Sequence, residues 1–337
     1  MAVEGWLSES QIRWMTPFLR PGVDTDGPTP KQLRSSVYVS PTRGVVMHVD
    51  DQGELSSVCR AIQLALPPDA VFSHLTAAAI RGWRMPNIST VPIVATTGAL
   101  APHHDRRGVF VRRCDLSPHH RMTLGGVRVA SPEWTIAELA EDLGLVDLVA
   151  VIDGALHTGE TTVERLFNSI VPGRRGAKVL RDSLAYVDGL SESWWESVLR
   201  MAHQLAEIPI RSQVEVFNRI GTFVARADLH IVGTARYPEY EGATHREALR
   251  HRTDLSREKR LARMAFERYG YTADELVKTP AMVIEDAEDA LGWKHDTQRL
   301  KRWLYELDRS SISKPGWIRL QRRLARFGRT KPPRAAQ

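Results

Sequence analysis

Cysteine is nearly absent: Cys59 and Cys114 are the only two in 337 residues, with no Cys-x-x-Cys spacing. That argues against a disulfide framework and against a cysteine zinc site, and both thiols are expected to be buried. Long apolar runs are missing too, so nothing reads as a transmembrane span and no membrane partner is expected. The opening MAVEGWLSESQIRW lacks the basic start and apolar run of a secretory signal, which sets the expectation of a cytoplasmic protein. Acid is outnumbered by base, 40 Asp and Glu against 46 Lys and Arg. The net charge of +6 and pI of about 9.5 favour a polyanionic partner, because Lys and Arg on phosphates release condensed counterions. Charge alone does not separate DNA from RNA.

What is present is ordinary globular material, 42% apolar and 26% charged, in a length that suits two domains and a tail. Residues 1–66 are broken by PGVDTDGPTP and hold a short strand-like SVYVS. Residues 67–188 form a first domain. Ser73 caps an Ala-rich helix there, VPIVATT and GVFVRR read as strands, and GVRVAS precedes a helix with Ser131 as cap and Pro132 at its first position. LVDLVAVIDGAL and RRGAKVLRDSLAYV read as further helices, and the domain boundary is placed near Gly189.

Residues 189–293 form the second domain. SESWWESVLRMAHQLAEI is amphipathic, with Trp195, Val198, Leu199, Ala202 and Leu205 on one face and Ser191 as cap. Three strands follow, RSQVEVFNRI, FVARADLHIV and ARYPEYEG, read as an antiparallel meander. A helix over SREKRLARMAFERYG completes an α-β-β-β-α order. Residues 294–337 are a basic helical tail, a natural grip on a nucleic-acid backbone through Arg319, Arg322 and Arg323.

The acids in this second domain suit one chemistry. Phosphodiester hydrolysis uses a hard divalent cation, and Mg²⁺ is held by one or two carboxylates plus waters. Asp228 on the second strand and Glu239 on the third meet if those strands are antiparallel neighbours. Strand alternation puts Glu239 and Glu241 on one face and Tyr240 on the other. Glu196 and Gln213 are positioned to close such a pocket, and His245 to move a proton.

The run SESWWESVLR, then QVEV, RAD, PEYEGATHR and RTDLSREKRL resembles the nuclease-like domain related to very-short-patch repair endonucleases, within the PD-(D/E)XK superfamily. The resemblance implies metal or catalytic roles for Glu196, Asp228, Glu239 and Glu241, with Gln213 and His245 in support. Asp228 and Glu239 would be the metal ligands and Mg²⁺ or Mn²⁺ the cofactor. It also implies that Arg252, Asp254 and Arg257 organise the following helix, with Arg252 and Arg257 near DNA. Two features depart from the family: Glu241 replaces the usual Asp and leaves no superfamily lysine, and the strand expected after the helix is curtailed, GYTADELVKTP following directly.

The first domain carries VFSHLTAAAIRGW, GVFVRRCDL, GVRVASPEWTIAELA and AVIDGAL, which resemble actinobacterial AbiEi-type antitoxin or regulator proteins. The winged-helix start typical of those proteins is not seen intact in residues 1–66, and PTPKQLRSS is read as its remnant. The fold expected is therefore α/β (α+β), an AbiEi-like domain followed by a PD-(D/E)XK domain. The expected function is a metal-dependent DNA endonuclease, a hydrolase, behind a DNA-associated regulatory domain. The alternative is an AbiEi-like regulator or antitoxin, with DNA and a toxin as partners and an inactive nuclease-like domain.

Plainer readings compete at each position. Two acids on neighbouring strands are ordinarily surface charges, and only the ordered company of Glu196, Gln213 and His245 lifts them above that. His103, His104, His119 and His120 flank Cys114 but sit beside prolines in loop-like sequence, where solvation is the rule. Trp194 and Trp195 on an amphipathic helix are read as core packing rather than base stacking.

Overall fold

Glycine and proline punctuation leaves the apolar runs of this chain short, and the strands they form are correspondingly brief. The computed structural model describes residues 18–19, 32–88, 91–101, 106–218, 220–242 and 266–329, as a mixed α/β protein. Among the described residues no helix is long and apolar enough to cross a membrane. Packing divides the chain into two units: Met1–Trp83 with Ile88–Leu139 and Arg322–Gln337, and Arg84–Asn87 with Ala140–Gln321.

The first unit holds β1 (Phe18–Leu19), β2 (Tyr38–Val39), β3 (Val45–His48), α1 (Leu55–Gln63), β4 (Val71–Phe72), α2 (His74–Ile80), β5 (Val94–Gly98), β6 (Phe110–Cys114), β7 (Arg121–Leu124), β8 (Val127–Ala130) and α3 (Pro132–Leu139). Its main sheet runs β6-β5-β4-β8-β7, with β4 parallel to β8 and β5 parallel to β6. The apolar face of α1 packs Cys59 and Ile62 against Phe72, Ala95, Val127 and Val129. Ser131 caps α3 as expected, accepting from Trp134 N at 3.3 Å. Ser73 stands at the start of α2 without capping it; its hydroxyl bonds Thr96 Oγ1 at 2.8 Å. Cys59 is buried as expected, but Cys114 is half-buried, because β6 is an edge strand of its sheet. His119 is exposed; His120 departs from the solvated reading, its Nδ1 lying 2.8 Å from Ser131 Oγ.

The second unit is built on α4 (Leu145–His157), whose residues Leu145–Ala155 are all buried, as an all-round apolar helix must be. Around it stand α5 (Val163–Asn168), α6 (Ala177–Ser183), α7 (Trp194–Leu205), β9 (Ile210–Phe217), β10 (Phe223–Ile231), β11 (Arg236–Tyr240), β12 (Glu267–Tyr271), α8 (Ala273–Lys278), α9 (Pro280–Leu291), α10 (Leu300–Leu307) and the start of α11 (Lys314–Leu324). Val198, Leu199, Ala202 and Leu205 of α7 enter the core as their spacing predicts. The cap differs from expectation: Ser193, not Ser191, accepts from Glu196 N at 3.2 Å, and Ser191 is buried. The basic tail is no appendage, since Leu300, Trp303 and Leu307 of α10 lie in that same core at i, i+3 and i+7.

Two expectations about the strands are corrected. FERYG does not end a helix: Glu267–Tyr271 is β12, so the fourth strand is present and not curtailed. It pairs in parallel with β11, Glu239 opposite Gly270 and Tyr240 opposite Tyr271. β9 and β10 form the antiparallel hairpin read from the sequence, but β11 has no ladder to β10; it joins β12 instead. The rest of that expected helix, residues 256–265, lies outside the described residues.

A buried ionic cluster ties the second unit together. Arg200 on α7 pairs with Asp153 on α4, and the two side chains are 1% and 0% exposed. Asp153 also accepts from Asp188 N and Gly189 N, each at 3.0 Å, and from Ser197 Oγ at 2.7 Å. Gly189, where the sequence placed a boundary, has φ +68°, and a Cβ there would fall 2.7 Å from Leu156 Cβ. Removing one partner strands a charge in low dielectric, so Arg200→Leu is expected to cost about 3–5 kcal/mol in chemical denaturation. The double variant Arg200→Leu with Asp153→Leu should recover part of that loss; equal losses would deny the coupling.

His203, also on α7, is fully buried with Nδ1 2.8 Å from Leu199 O, and burial holds its pKa down to about 4. Its neutral form stabilises the fold fully above the unfolded value near 6.5, and that contribution is lost as pH falls toward 4. From this group alone, stability at pH 5 should be about 2 kcal/mol below that above pH 7. Comparing melts of the wild type and His203→Gln at both values tests this, the variant giving the flatter profile.

Candidate active site

Every acid that the sequence singles out on α7, β10 and β11 belongs to the second unit. Ser193 starts α7 so that Glu196 lies in its first turn, where Glu196 Oε2 accepts from Glu192 N at 2.7 Å. Gln213 Nε2 donates to the same oxygen at 3.1 Å. Gln213 reaches it from a backbone of φ +49°, a left-handed residue inside a strand. The ladder registers Ser212 with Leu229 and Val214 with Ala227, so Gln213 and Asp228 occupy the gap between those pairs.

Asp228 is placed by alternation along β10. Ala225, Ala227, Leu229 and Ile231 are buried in the core, which leaves Asp228 on the opposite face. Its Oδ2 accepts from Tyr240 N at 3.0 Å, the link that brings β11 to β10 in place of a ladder. Tyr240 stacks on Trp195, ring centroids 5.6 Å apart, so Trp195 packs as expected. Glu239 turns the other way and pairs with Arg268 on β12. Glu241 follows on the same face, over the space left by the missing side chain of Gly270.

The electrostatics are those of acids held together and out of water. Burial pushes the Asp228 carboxyl up; the Tyr240 N–H opposes this and the charge of Glu239 adds to it. Burial likewise raises Glu196, with Asp228 as its next cause. Three of the expected residues, Glu196, Gln213 and Asp228, therefore converge, and Glu239 lies close enough to act on Asp228. His245, Arg252, Asp254 and Arg257 lie outside the described residues. On α11, Arg322 is exposed while Arg319 and Arg323 are half-buried.

Sequence reading missed three charges. Arg268 was hidden inside a run read as helix. Glu192 sits one turn ahead of Glu196, acts on Asp228 and pairs with Arg226. Arg84 is half-buried, and burial works against its charged form, opposed first by Glu196 and then by Asp153 and Glu192. No spacing rule ties Arg84 to acids so distant in the chain.

Asp228 and Glu239 are hard oxygen donors of the kind that could take a divalent cation, and Glu239 is already paired with Arg268. Among the described residues no group of three or more His, Cys, Asp or Glu is arranged to hold a metal ion. Because the folded site raises the Asp228 pKa, it loses stability as pH rises past the usual carboxylate range. Asp228→Asn keeps an acceptor for Tyr240 N and removes the charge. In EDTA at pH 7.5 it should melt a few degrees above the wild type; a lower melting temperature would mean that the charge is compensated.

No protein-family model matches the chain, and no solved structure matches it. Two uncharacterized proteins of Mycobacterium tuberculosis, one from strain CDC 1551 / Oshkosh and one from strain ATCC 25618 / H37Rv, are each 27% identical to it over 148 residues. The match covers 42% of this chain and 51% of each relative, so the chain spans about half the length of the relatives it matches.

Proposed function

We propose that the second unit is a metal-dependent DNA endonuclease site, in a cytoplasmic protein whose first unit is an AbiEi-like regulatory domain. The observation that carries this reading is the meeting of Glu196, Gln213 and Asp228, from a helix and the two strands that follow it, with Glu239 beside them. Two of those acids are held away from water, which has a stability cost that structure alone gives no reason to bear. The element order also supports the PD-(D/E)XK reading, with α7, then β9, β10 and β11, then β12 parallel to β11.

In this reading Asp228 and Glu239 would hold Mg²⁺ or Mn²⁺, which would supply charge for the phosphoryl oxygens and lower the pKa of a water. Glu196 would hold or accept a proton beside Asp228, and Gln213 fixes Glu196 through its amide. Tyr240 N–H holds Asp228 in place. Glu241 and His245 keep the supporting roles that the family resemblance implies, and Arg252, Arg257, Arg319, Arg322 and Arg323 hold phosphates.

The Arg268–Glu239 pair supports a second reading, because a guanidinium occupies the carboxylate that the metal needs. There the protein is an AbiEi-like regulator or antitoxin that binds DNA, and a toxin, without cutting. Incubation of supercoiled plasmid with Mg²⁺ or Mn²⁺ separates the two. Nicking that falls at least a hundredfold in Asp228→Ala and Glu239→Ala supports the enzyme. Binding in gel shifts, unchanged by either substitution and with no cleavage, supports the regulator.

A further inference from the structure

The chain enters the second unit once before its main stretch begins. Packing assigns the four residues Arg84–Asn87 to that unit, while the chain on either side, up to Trp83 and from Ile88, belongs to the first. This short stretch lies close against α4: a Cβ added to Gly154 would fall 3.1 Å from Arg84 N and 3.6 Å from Arg84 Cβ and Cγ. Pro86 is buried and restricts the backbone beside it. Arg84 is therefore fixed at its base, yet the far end of its side chain is incomplete. Its Nη1 is buried and, among the described residues, has no hydrogen-bond partner. A buried guanidinium donor without an acceptor is destabilising, so such a group calls for a partner that arrives from outside.

The surrounding acids do not supply that partner. Glu196, Asp153 and Glu192 act on Arg84 in that order, and they offset its burial only in part. Each has donors of its own. Asp153 pairs with Arg200 and Glu192 with Arg226, while Glu196 Oε2 accepts from Glu192 N and Gln213 Nε2. We propose that Arg84 is a substrate-binding residue of the acidic site, its buried Nη1 donating to a phosphate oxygen of bound DNA, an inference that rests on the DNA reading above. A guanidinium suits this role, because it keeps its charge when partly buried and its planar fork matches the oxygens of a phosphate. The site then draws on α7, β9, β10 and β11 and on a segment of chain that precedes all of them, which a fragment starting at Ala140 would lack.

The test uses the full chain in EDTA, so that neither cleavage nor added metal enters, with a labelled duplex of mixed sequence titrated at several KCl concentrations. Arg84→Met should bind about tenfold more weakly or worse, the effect of one charge-assisted hydrogen bond. Its plot of log affinity against log salt should also be shallower by about one, since one phosphate contact is lost. Arg84→Lys keeps the charge without the fork, so its slope should match the wild type while its affinity falls in between. Melting temperatures report folding, and the lysine variant carries the test if the methionine variant is unstable. Wild-type affinity in either folded variant, or weaker binding by Arg84→Met with an unchanged slope, overturns the role of Arg84 and leaves the DNA reading standing. Absence of duplex binding by the wild type overturns both.

Discussion

One buried ion pair fixes the frame on which the candidate site stands. Arg200 and Asp153 lie in the interior of the second unit, where two charges are stable only when geometry and hydrogen bonds are complete. Completeness comes from three elements at once. Ser197 of α7 and the backbone of Asp188 and Gly189 fill the remaining positions on Asp153, and Asp188 in turn accepts from Ser212 Oγ of β9 at 2.6 Å. Glu196 is one turn before Arg200 on the same helix. A helix whose rotation is locked by Arg200 presents Glu196 toward β9 and β10, so the position of the first acid follows from a contact that takes no part in chemistry.

Legibility follows periodicity. α4 and α7 carry strong apolar patterns and stand where the sequence puts them. β9 and β10 alternate and are also found. β12 fails because ERYGY offers one buried residue, Tyr271, and two charges, so period 2 has nothing to act on; its pairing with β11 is a long-range fact. Composition concealed α10, whose Lys301 and Arg302 drew attention away from Leu300, Trp303 and Leu307. The cap was open to reading: Ser193 precedes Glu196 by three residues, the spacing of a helix start. Glu196, Gln213 and Asp228 were found because a motif orders them, whereas Arg84 and Arg268 belong to no local pattern.

Asp69 shows the same contrast in the first unit, where a carboxylate is used structurally. Its Oδ2 accepts from Thr97 Oγ1 and Gly98 N, both at 2.9 Å, and its carboxyl is held below the usual range despite burial, which acts the other way. Donors outweigh desolvation there. At Glu196 and Asp228 they do not, although each has a hydrogen bond, and this difference separates an acid used as a tie from an acid kept in tension.

How that tension is shared decides what the second unit does. Glu196 receives a backbone N–H and the amide of Gln213, and Asp228 receives a backbone N–H. Neutral donors orient these carboxylates without cancelling their charge, so the field of the cluster stays negative and directed at whatever occupies the space beside it. Gln213 adopts a left-handed conformation inside a strand to take part, a strain on the order of 1 kcal/mol that an ordinary ladder residue avoids. Glu239 differs, because its partner Arg268 carries a full charge. On the proposed reading, the guanidinium and an external cation would compete for the same oxygens. Arg268 lies on β12, which is joined to β11 by a parallel ladder, and its charge also reaches Asp228, where it opposes the effect of burial. On that reading, the balance between hydrolysis and binding would turn on a single exchange at Glu239, beside a frame that Arg200 and Asp153 keep fixed.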